Sequence, residues 1–573
     1  MKASDYIVEF LKSKGIRHVY EIAGGMITHI LDSLNKEKSI EVISVHHEQA
    51  AAFAADAEGR IIRKPGIAFA TSGPGATNLL TGIGSCFFDS SPAIFITGQV
   101  NTDEQKGNKN IRQLGFQETD IVAMAKPITK WAVMIESAVQ LPETLEKAYQ
   151  IAISGRPGPV LIDIPMNVQR ENVDEEIIIR NNFSTNIVQS EIDFDNIIQK
   201  IRKAKRPLIL AGRGIRAGGA LNEFKEFLNK VQIPVVLTLL GLDNLVYDDP
   251  MRVGFIGSYG NRWANILLGE CDLLVVLGSR LDIRQTGADV KSFKENKEII
   301  HVDCEEGEIN NRITGCINCN LDVKEFLIQV NEQISADVIA ITEDWQKRIN
   351  ELKEKYPDTD ELKNINGINP NLFIKTLSEM GFEIQAYVAD VGNNQMWAAQ
   401  SLRLKEGQLF LTAGGMGAMG SALPAAIGTS LSLDKKPVIV IAGDGGFQVN
   451  IQELQTIVSN KLPIKIIVLN NNCLGMIRQF QDSYFDSRYQ STFWGYGSPD
   501  FEKVGKAYGI DSKTISNENE FNEALKWFFD DDNETKLLQV MIDVHTNAYP
   551  KLAFGKPITE MEPLSKPLDM EGT

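Results

Sequence analysis

Two short stretches in the C-terminal third carry residue types suited to holding a phosphate and a hard cation. In 438–471 (VIVIAGDGGFQVNIQELQTIVSNKLPIKIIVLNN) one apolar run ends in Gly443-Asp444-Gly445-Gly446 and a second ends in Asn470-Asn471. Glycines let backbone N–H groups approach phosphate oxygens, and a helix starting there adds the partial positive charge of its N-terminus. A divalent cation bridging a diphosphate takes oxygen ligands, which Asp444 and the side-chain carbonyl of Asn471 can supply. Either stretch alone is a common turn. Together, each closing a buried strand, they point to a phosphate-and-metal site at the carboxyl edge of a sheet.

These strands belong to a pattern that runs through the chain. Short runs rich in Val and Ile at 40–45, 66–70, 93–97, 160–164, 207–211, 234–238, 273–277, 298–302, 438–442 and 464–469 alternate with longer stretches of helical periodicity. Runs apolar on both faces suit buried parallel strands, and the stretches between them suit crossover helices. The expected fold is α/β, with three doubly wound parallel-sheet domains. Polar stretches at 181–193 and 351–369, the latter ending in NINGINP, read as connections. They place the domains at 1–180, 190–345 and 365–550, with a tail at 551–573.

Composition narrows the function classes. The 573 residues are 43% hydrophobic and 23% charged, which excludes wholesale disorder. A net charge of −17 makes nucleic acid and anionic membranes poor partners, though not a small anion in a local basic pocket. No run approaches the ~20 apolar residues of a membrane span, and the N-terminus lacks the apolar core of a signal peptide. The six cysteines are sparse and include one CxxC, Cys316 and Cys319, with no second pair to complete a zinc site. Reduced thiols and a cytoplasmic location are expected.

The paired motif resembles the GDG…NN signature of thiamine-diphosphate enzymes, and ordered matches elsewhere are similar to the acetohydroxyacid (acetolactate) synthase catalytic subunits. They are SGPGATN at 72–78, FQE at 116–118, SGRPGP at 154–159 followed by DIP at 163–165, and LGSRLDIRQTG at 277–287. The resemblance implies pyrimidine-binding, central FAD-binding-like and diphosphate-binding domains. It also implies thiamine diphosphate, Mg²⁺ and a structural FAD as cofactors. Glu48 then takes the place of the carboxylate beside the aminopyrimidine, with Phe116 and Gln117 at the active site. The Gly417 carbonyl and Met419 would support the bent cofactor. Gly443, Gly445 and Gly446 would surround its diphosphate and Met476 would also bind the cofactor, with Asp444, Asn471 and Cys473 on the metal. Arg156, Arg213, Thr238, Arg280, Asp282, Arg284 and Asp303 are carried over to FAD. His46 and His47 read as local structure.

The implied chemistry is decarboxylation of pyruvate and transfer of the two-carbon unit to a carbonyl acceptor. Simple decarboxylases of the wider family carry a His-His pair where this chain has Phe116-Gln117, so carboligation is favoured. Departures from the synthase pattern gather on the acceptor side. Phe480 replaces the family's tryptophan, Met166 replaces a lysine, and the loop 101–115 is longer and carries Lys106, Lys109 and Arg112. With Arg478 these are the expected acceptor-pocket residues. The acceptor is left as a second 2-oxo acid or a nucleotide-linked keto sugar, and a flavin-linked pyruvate oxidase or a non-catalytic relative are the alternatives. A homo-oligomer with active sites at the subunit interface is expected, with the tail covering the site. A regulatory subunit cannot be read from this chain.

Overall fold

A computed structural model describes residues 1–173, 192–334, 341–381 and 383–569. Most of the expected connection at 181–193, and the last four residues of the tail, lie outside the described residues. Three six-stranded sheets, each wholly parallel, carry the chain. The first contains β1 (His18–Glu21), β2 (Glu41–Ser44), β3 (Gly66–Ala70), β4 (Ala93–Gln99), β5 (Trp131–Met134) and β6 (Pro159–Pro165), in the spatial order β2-β1-β3-β4-β6-β5. The second contains β7 (Pro207–Ala211), β8 (Val235–Leu237), β9 (Arg252–Phe255), β10 (Leu273–Leu277), β11 (Glu298–Asp303) and β12 (Ile317–Asn320), in the order β12-β11-β10-β7-β8-β9. The third contains β13 (Ala386–Ala389), β14 (Leu409–Thr412), β15 (Val438–Gly443), β16 (Ile464–Asn470), β17 (Asp511–Ile515) and β18 (Lys536–Met541), in the order β14-β13-β15-β16-β18-β17.

The first and third sheets are thus wired identically, a likeness no short sequence repeat announces. The second has the strand order of dinucleotide-binding sheets, whose ligand crevice opens where the order reverses, here between β7 and β10. The continuous Val/Ile runs follow from helices covering both faces of each sheet. In β15, Ile439 and Ile441 enter one apolar core while Val438 and Val440 enter the core on the opposite face.

The expected connection at 351–369 is partly helix. Residues 351–355 complete the helix Glu343–Lys355, which docks Trp345, Ile349 and Leu352 against Leu208 and Trp263 beside the second sheet. The outer face of that helix is so charged that the stretch reads as a linker. Cys316 and Cys319 enter different apolar clusters, and all six cysteines are free. Among the described residues no helix is long and apolar enough to cross a membrane.

First and third sheets meet through the helices Glu48–Ile62 and Ala422–Ser432. They approach so closely that a Cβ on Gly428 would lie 2.1 Å from the Ala54 carbonyl oxygen. Beside this contact the buried Asp89 joins all three sheets. Its carboxylate accepts from Arg60 (2.9 Å) and from the Gly414 and Gly415 amides (3.0 and 2.6 Å), and its carbonyl accepts from Arg213 (2.9 Å). Arg60 also pairs with Asp56 at 2.6 Å and donates to the Thr412 carbonyl. Removing the Asp89 carboxylate leaves Arg60 with Asp56 alone and takes the acceptor from the Gly414 and Gly415 amides, buried donors that cost about 1–3 kcal/mol each when unpaired. Asp89→Ala should therefore lower the thermal unfolding midpoint by several degrees in calorimetry; an unchanged midpoint would show that this junction does not hold the sheets together.

Candidate active site

β15 and β16 are parallel neighbours in register, Gly443 opposite Leu469, so Asp444 and Asn471 leave the same sheet edge side by side. Asp444 is 1% exposed, and burial pushes its carboxyl up to about 6. One of its oxygens, Oδ2, accepts from the Tyr496 hydroxyl at 2.8 Å. The Asn471 amide oxygen faces the other, Oδ1, at 3.1 Å and the Cys473 carbonyl at 2.8 Å. Turned over, that amide would make two ordinary hydrogen bonds. With the amide oxygen turned inward, the cluster suits a hard cation, and the Cys473 amide donates to Asn471 Oδ1 at 3.3 Å. Cys473 offers its carbonyl here, since burial pushes its thiol up to about 11 and its sulfur lies 3.7 Å from the Val544 carbonyl. Among the described residues no group of three or more His, Cys, Asp or Glu could hold a metal, so any cation here would rest on one carboxylate and neutral oxygens.

The surroundings suit a diphosphate. Asn393 is 5% exposed, yet neither polar atom of its side chain has a partner. A Cβ on Gly475 would lie 2.8 Å from Asn393 Nδ2 and 2.6 Å from Asn471 Nδ2, so both amides border one spot. Buried polar atoms are normally satisfied, and a phosphate oxygen would accept from the Asn393 Nδ2. Side chains are excluded from the turn itself: a Cβ on Gly445 would meet Leu474 at 2.5 Å, and one on Gly446 would meet Asp390 at 2.3 Å.

Asp390, at the end of β13, was not legible in the sequence as a site residue. Its carboxylate accepts from the amides of Gly420 and Ala422, both at 2.9 Å, and burial pushes it up to about 6. It thereby fixes the segment that carries Gly417, whose φ is +67°, and Met419. The Met419 methyl lies 3.3 Å from where a Gly445 Cβ would be, which brings the thioether beside the glycine turn. Asn394 ties the same strand ends together, donating to the Asp390 and Ile441 carbonyls at 2.7 and 3.1 Å. The clue to these residues was Asp390-Val391-Gly392-Asn393-Asn394, a polar strand end of the same kind as the one that exposed Asp444.

A second cluster forms on the first sheet. His47 caps the helix that Glu48 opens, accepting from the Gln49 amide at 3.0 Å, and His46 bonds Thr456 at the same distance, so both histidines are structural. Asn78, the last residue of SGPGATN, donates to Glu48 Oε2 at 2.9 Å, and Gly75 leaves room for Oε1. Gln117 adopts a left-handed φ of +66° packed against Gly73, strain of a kind that gathers at functional positions. Phe116 beside it is exposed.

The seven residues expected around a dinucleotide, Arg156, Arg213, Thr238, Arg280, Asp282, Arg284 and Asp303, all line one cavity of about 500 Å³ where the second sheet's order reverses. Burial lowers Arg213 to about 10, and among the described residues it makes no ion pair, so this cation favours an anion in the cavity. Arg156 instead pairs with Glu305 and Glu308 at 2.6 Å. Burial pushes Asp303 up to about 6. Asp282 caps a short helix through the Arg284 amide.

The expected acceptor residues occupy different environments. Phe480 stacks with Tyr484 (4.8 Å between centroids), which meets Phe554 of the tail. Arg478 is fully buried against Asp482 and Asn547 and presents no free cation to an acceptor, which corrects that expectation; its charge is met within its own helix and by the chain after β18. Met476 packs against the apolar core. Met166 opens a short helix after β6. Lys109 and Arg112 are exposed and make no ion pair among the described residues; Lys106 belongs to the same loop, folded around Glu118, which accepts from the Lys106 and Leu114 amides at 2.7 Å.

Comparison with known proteins gives the same three-part division. Models of the thiamine pyrophosphate enzymes match residues 1–124 (N-terminal TPP binding domain), 194–330 (central domain) and 390–540 (C-terminal TPP binding domain). The probable acetolactate synthase large subunit of Methanocaldococcus jannaschii is 36% identical, over 95% of this chain and 92% of that one. The acetolactate synthase isozyme 2 large subunit of Escherichia coli is 33% identical (98% and 99%), and the acetolactate synthase large subunit of Lactococcus lactis is 35% identical (97% and 95%).

The Asp390 geometry is directly testable. Asp390→Ala removes the acceptor for two amides, each worth about 1–3 kcal/mol when left unpaired. Hydrogen exchange across 413–421 should quicken by about tenfold or more; exchange at the wild-type rate would show that the segment is held by other contacts.

Proposed function

The chain belongs to the acetolactate synthase large-subunit family of thiamine pyrophosphate (thiamine diphosphate) enzymes, and on that premise we propose that it decarboxylates pyruvate and joins the two-carbon unit to a carbonyl acceptor, giving acetolactate when the acceptor is a second pyruvate. The observation that carries this reading is the three-oxygen cluster of Asp444, Asn471 and Cys473 standing beside the unsatisfied Asn393. Thiamine diphosphate, when bound, supplies the electron sink that lets pyruvate lose CO₂.

The chain's own residues do the rest. Asp444, Asn471 and the Cys473 carbonyl would hold Mg²⁺, and Asn393 with the Gly445 and Gly446 amides would hold the diphosphate. Glu48, oriented by Asn78, would exchange a proton with the aminopyrimidine ring nitrogen, while Met419 would buttress the cofactor and Gln117 would position the substrate. With no histidine pair at Phe116-Gln117, no side chain there is suited to protonate the two-carbon unit and release an aldehyde. That leaves the unit for the acceptor.

Further parts of the reading rest on narrower support. Met416, Met419, Phe116 and Phe480 are exposed on a single chain, which fits a homodimer that covers them. The strand order of the second sheet and the isolated Arg213 support FAD in the central cavity, in a structural role. The matched relatives are named large subunits, which supports a separate regulatory subunit as a partner. Phe480 leaves more room than the family's indole, the one feature that favours a bulkier acceptor such as a nucleotide-linked keto sugar.

The test is an assay with pyruvate as sole substrate plus thiamine diphosphate, Mg²⁺ and FAD. Acetolactate and CO₂ should form, and Glu48→Gln should lose about a hundredfold or more of the turnover while still binding cofactor and metal. Equal turnover by Glu48→Gln would overturn the role of Glu48. Slow pyruvate loss with little acetolactate would move the acceptor to a keto sugar, and oxygen uptake with bleaching of the flavin would make the protein an oxidase.

A further inference from the structure

We propose that Tyr496 is a positioning residue for the cation site, set by a seven-residue strap that ties the metal-bearing end of β15 to that of β16; the inference rests on the reading of Asp444, Asn471 and Cys473 as that site. The strap is 492–498. At one end the Leu474 amide donates to the Thr492 carbonyl at 2.9 Å. At the other, the Ser498 hydroxyl donates to Asn472 Oδ1 at 2.6 Å and Asn470 Oδ1 at 3.3 Å. Both anchors lie on the 470–474 segment that follows β16 and carries Asn471 and Cys473. Gly495, with a φ of +77°, turns the strap so that Tyr496 reaches across to the end of β15.

There the tyrosine hydroxyl donates to Asp444 Oδ2 at 2.8 Å, and Gln448 Nε2 donates to the hydroxyl oxygen at 3.2 Å. Gln448 thus occupies the oxygen's lone pair and directs the single hydroxyl proton at the carboxylate. Gly445 leaves space for the contact, since a Cβ there would come within 3.3 Å of the hydroxyl. The division of the carboxylate follows. With Oδ2 engaged by the strap, the carboxylate cannot rotate freely, and Oδ1 alone faces the Asn471 oxygen at 3.1 Å. Tyr496 therefore fixes a one-oxygen mode of binding and supports a metal ligand from outside the coordination sphere, where partners commonly govern affinity.

The experiment is titration of Mn²⁺, followed by electron paramagnetic resonance of the free ion, into the full-length protein with saturating thiamine diphosphate. It compares wild type with Tyr496→Phe, which deletes only the hydroxyl, and with Trp494→Ala, which changes an exposed strap residue packed on Tyr489. Tyr496→Phe should bind Mn²⁺ about ten- to a hundredfold more weakly. Its metal activation constant should rise in parallel, and kcat at saturating metal should stay within about threefold. Trp494→Ala should bind within twofold of wild type. Wild-type affinity in Tyr496→Phe, or an equal loss in Trp494→Ala, would overturn the role of the hydroxyl while leaving the cation site intact. Failure of the wild-type protein to take up Mn²⁺ would instead remove the cation site on which the inference stands.

Discussion

The Asn471 side-chain amide meets Asp444 Oδ1 at 3.1 Å and the Cys473 carbonyl at 2.8 Å, and this close meeting of polar groups governs how the ends of β15 and β16 are built. Turned over, the amide bonds both neighbours; with its oxygen turned inward, lone pairs at 2.8–3.1 Å repel in a dry setting unless a cation lies among them. The chain must therefore hold the three in place by other means. Parallel pairing of β15 with β16 brings the strand ends together, Asn394 and Asp390 brace β13 against β15, and the glycines leave no side chain to fill the gap. The unsatisfied amide of Asn393 belongs to the same arrangement, since buried polar groups left unpaired persist where a ligand completes them.

This local cluster is connected to the rest of the molecule through Asp89. One carboxylate secures the segment that leads to Met419, while the carbonyl of the same residue receives Arg213 from the central cavity. The walls of the dinucleotide-type crevice and the segment beside the glycine turn therefore share one buried junction. A change on either side acts on a group that cannot move without breaking its pair with Arg60, which would keep only Asp56. Such a junction couples the central cavity mechanically to the segment beside the glycine turn.

Much of this was legible in the residues, and the boundary of legibility has physical causes. Gly443-Asp444-Gly445-Gly446 and Asn470-Asn471 stood out because backbone-permissive and oxygen-bearing residues ended strands that were otherwise apolar except for Lys465. β1, β12 and β17 (HVYE, INCN and DSKTI) gave no such signal, because polar residues interrupt them, several paired with distant partners, as His18 is with Glu58 and Thr514 with Gln539. Asp390 and Asn393 act through contacts with residues 30–80 positions away, which local spacing does not reveal. Arg478 was expected at the acceptor pocket; Asp482 meets it one turn along its own helix, and only the fold brings Asn547 onto it. Tyr496 sits in an irregular Gly- and aromatic-rich stretch whose path is set by anchors at 470–474.

The central claim is that the ends of β15 and β16 form a cation site for a bound diphosphate. It is tested most directly by a crystal structure with Mn²⁺ and thiamine diphosphate, read by anomalous scattering at the manganese edge. The account predicts a single strong peak bounded by Asp444, Asn471 and the Cys473 carbonyl, at oxygen-ligand distances of about 2.0–2.3 Å. Clear density for the cofactor with no peak there, or with the metal held by other residues, would contradict it.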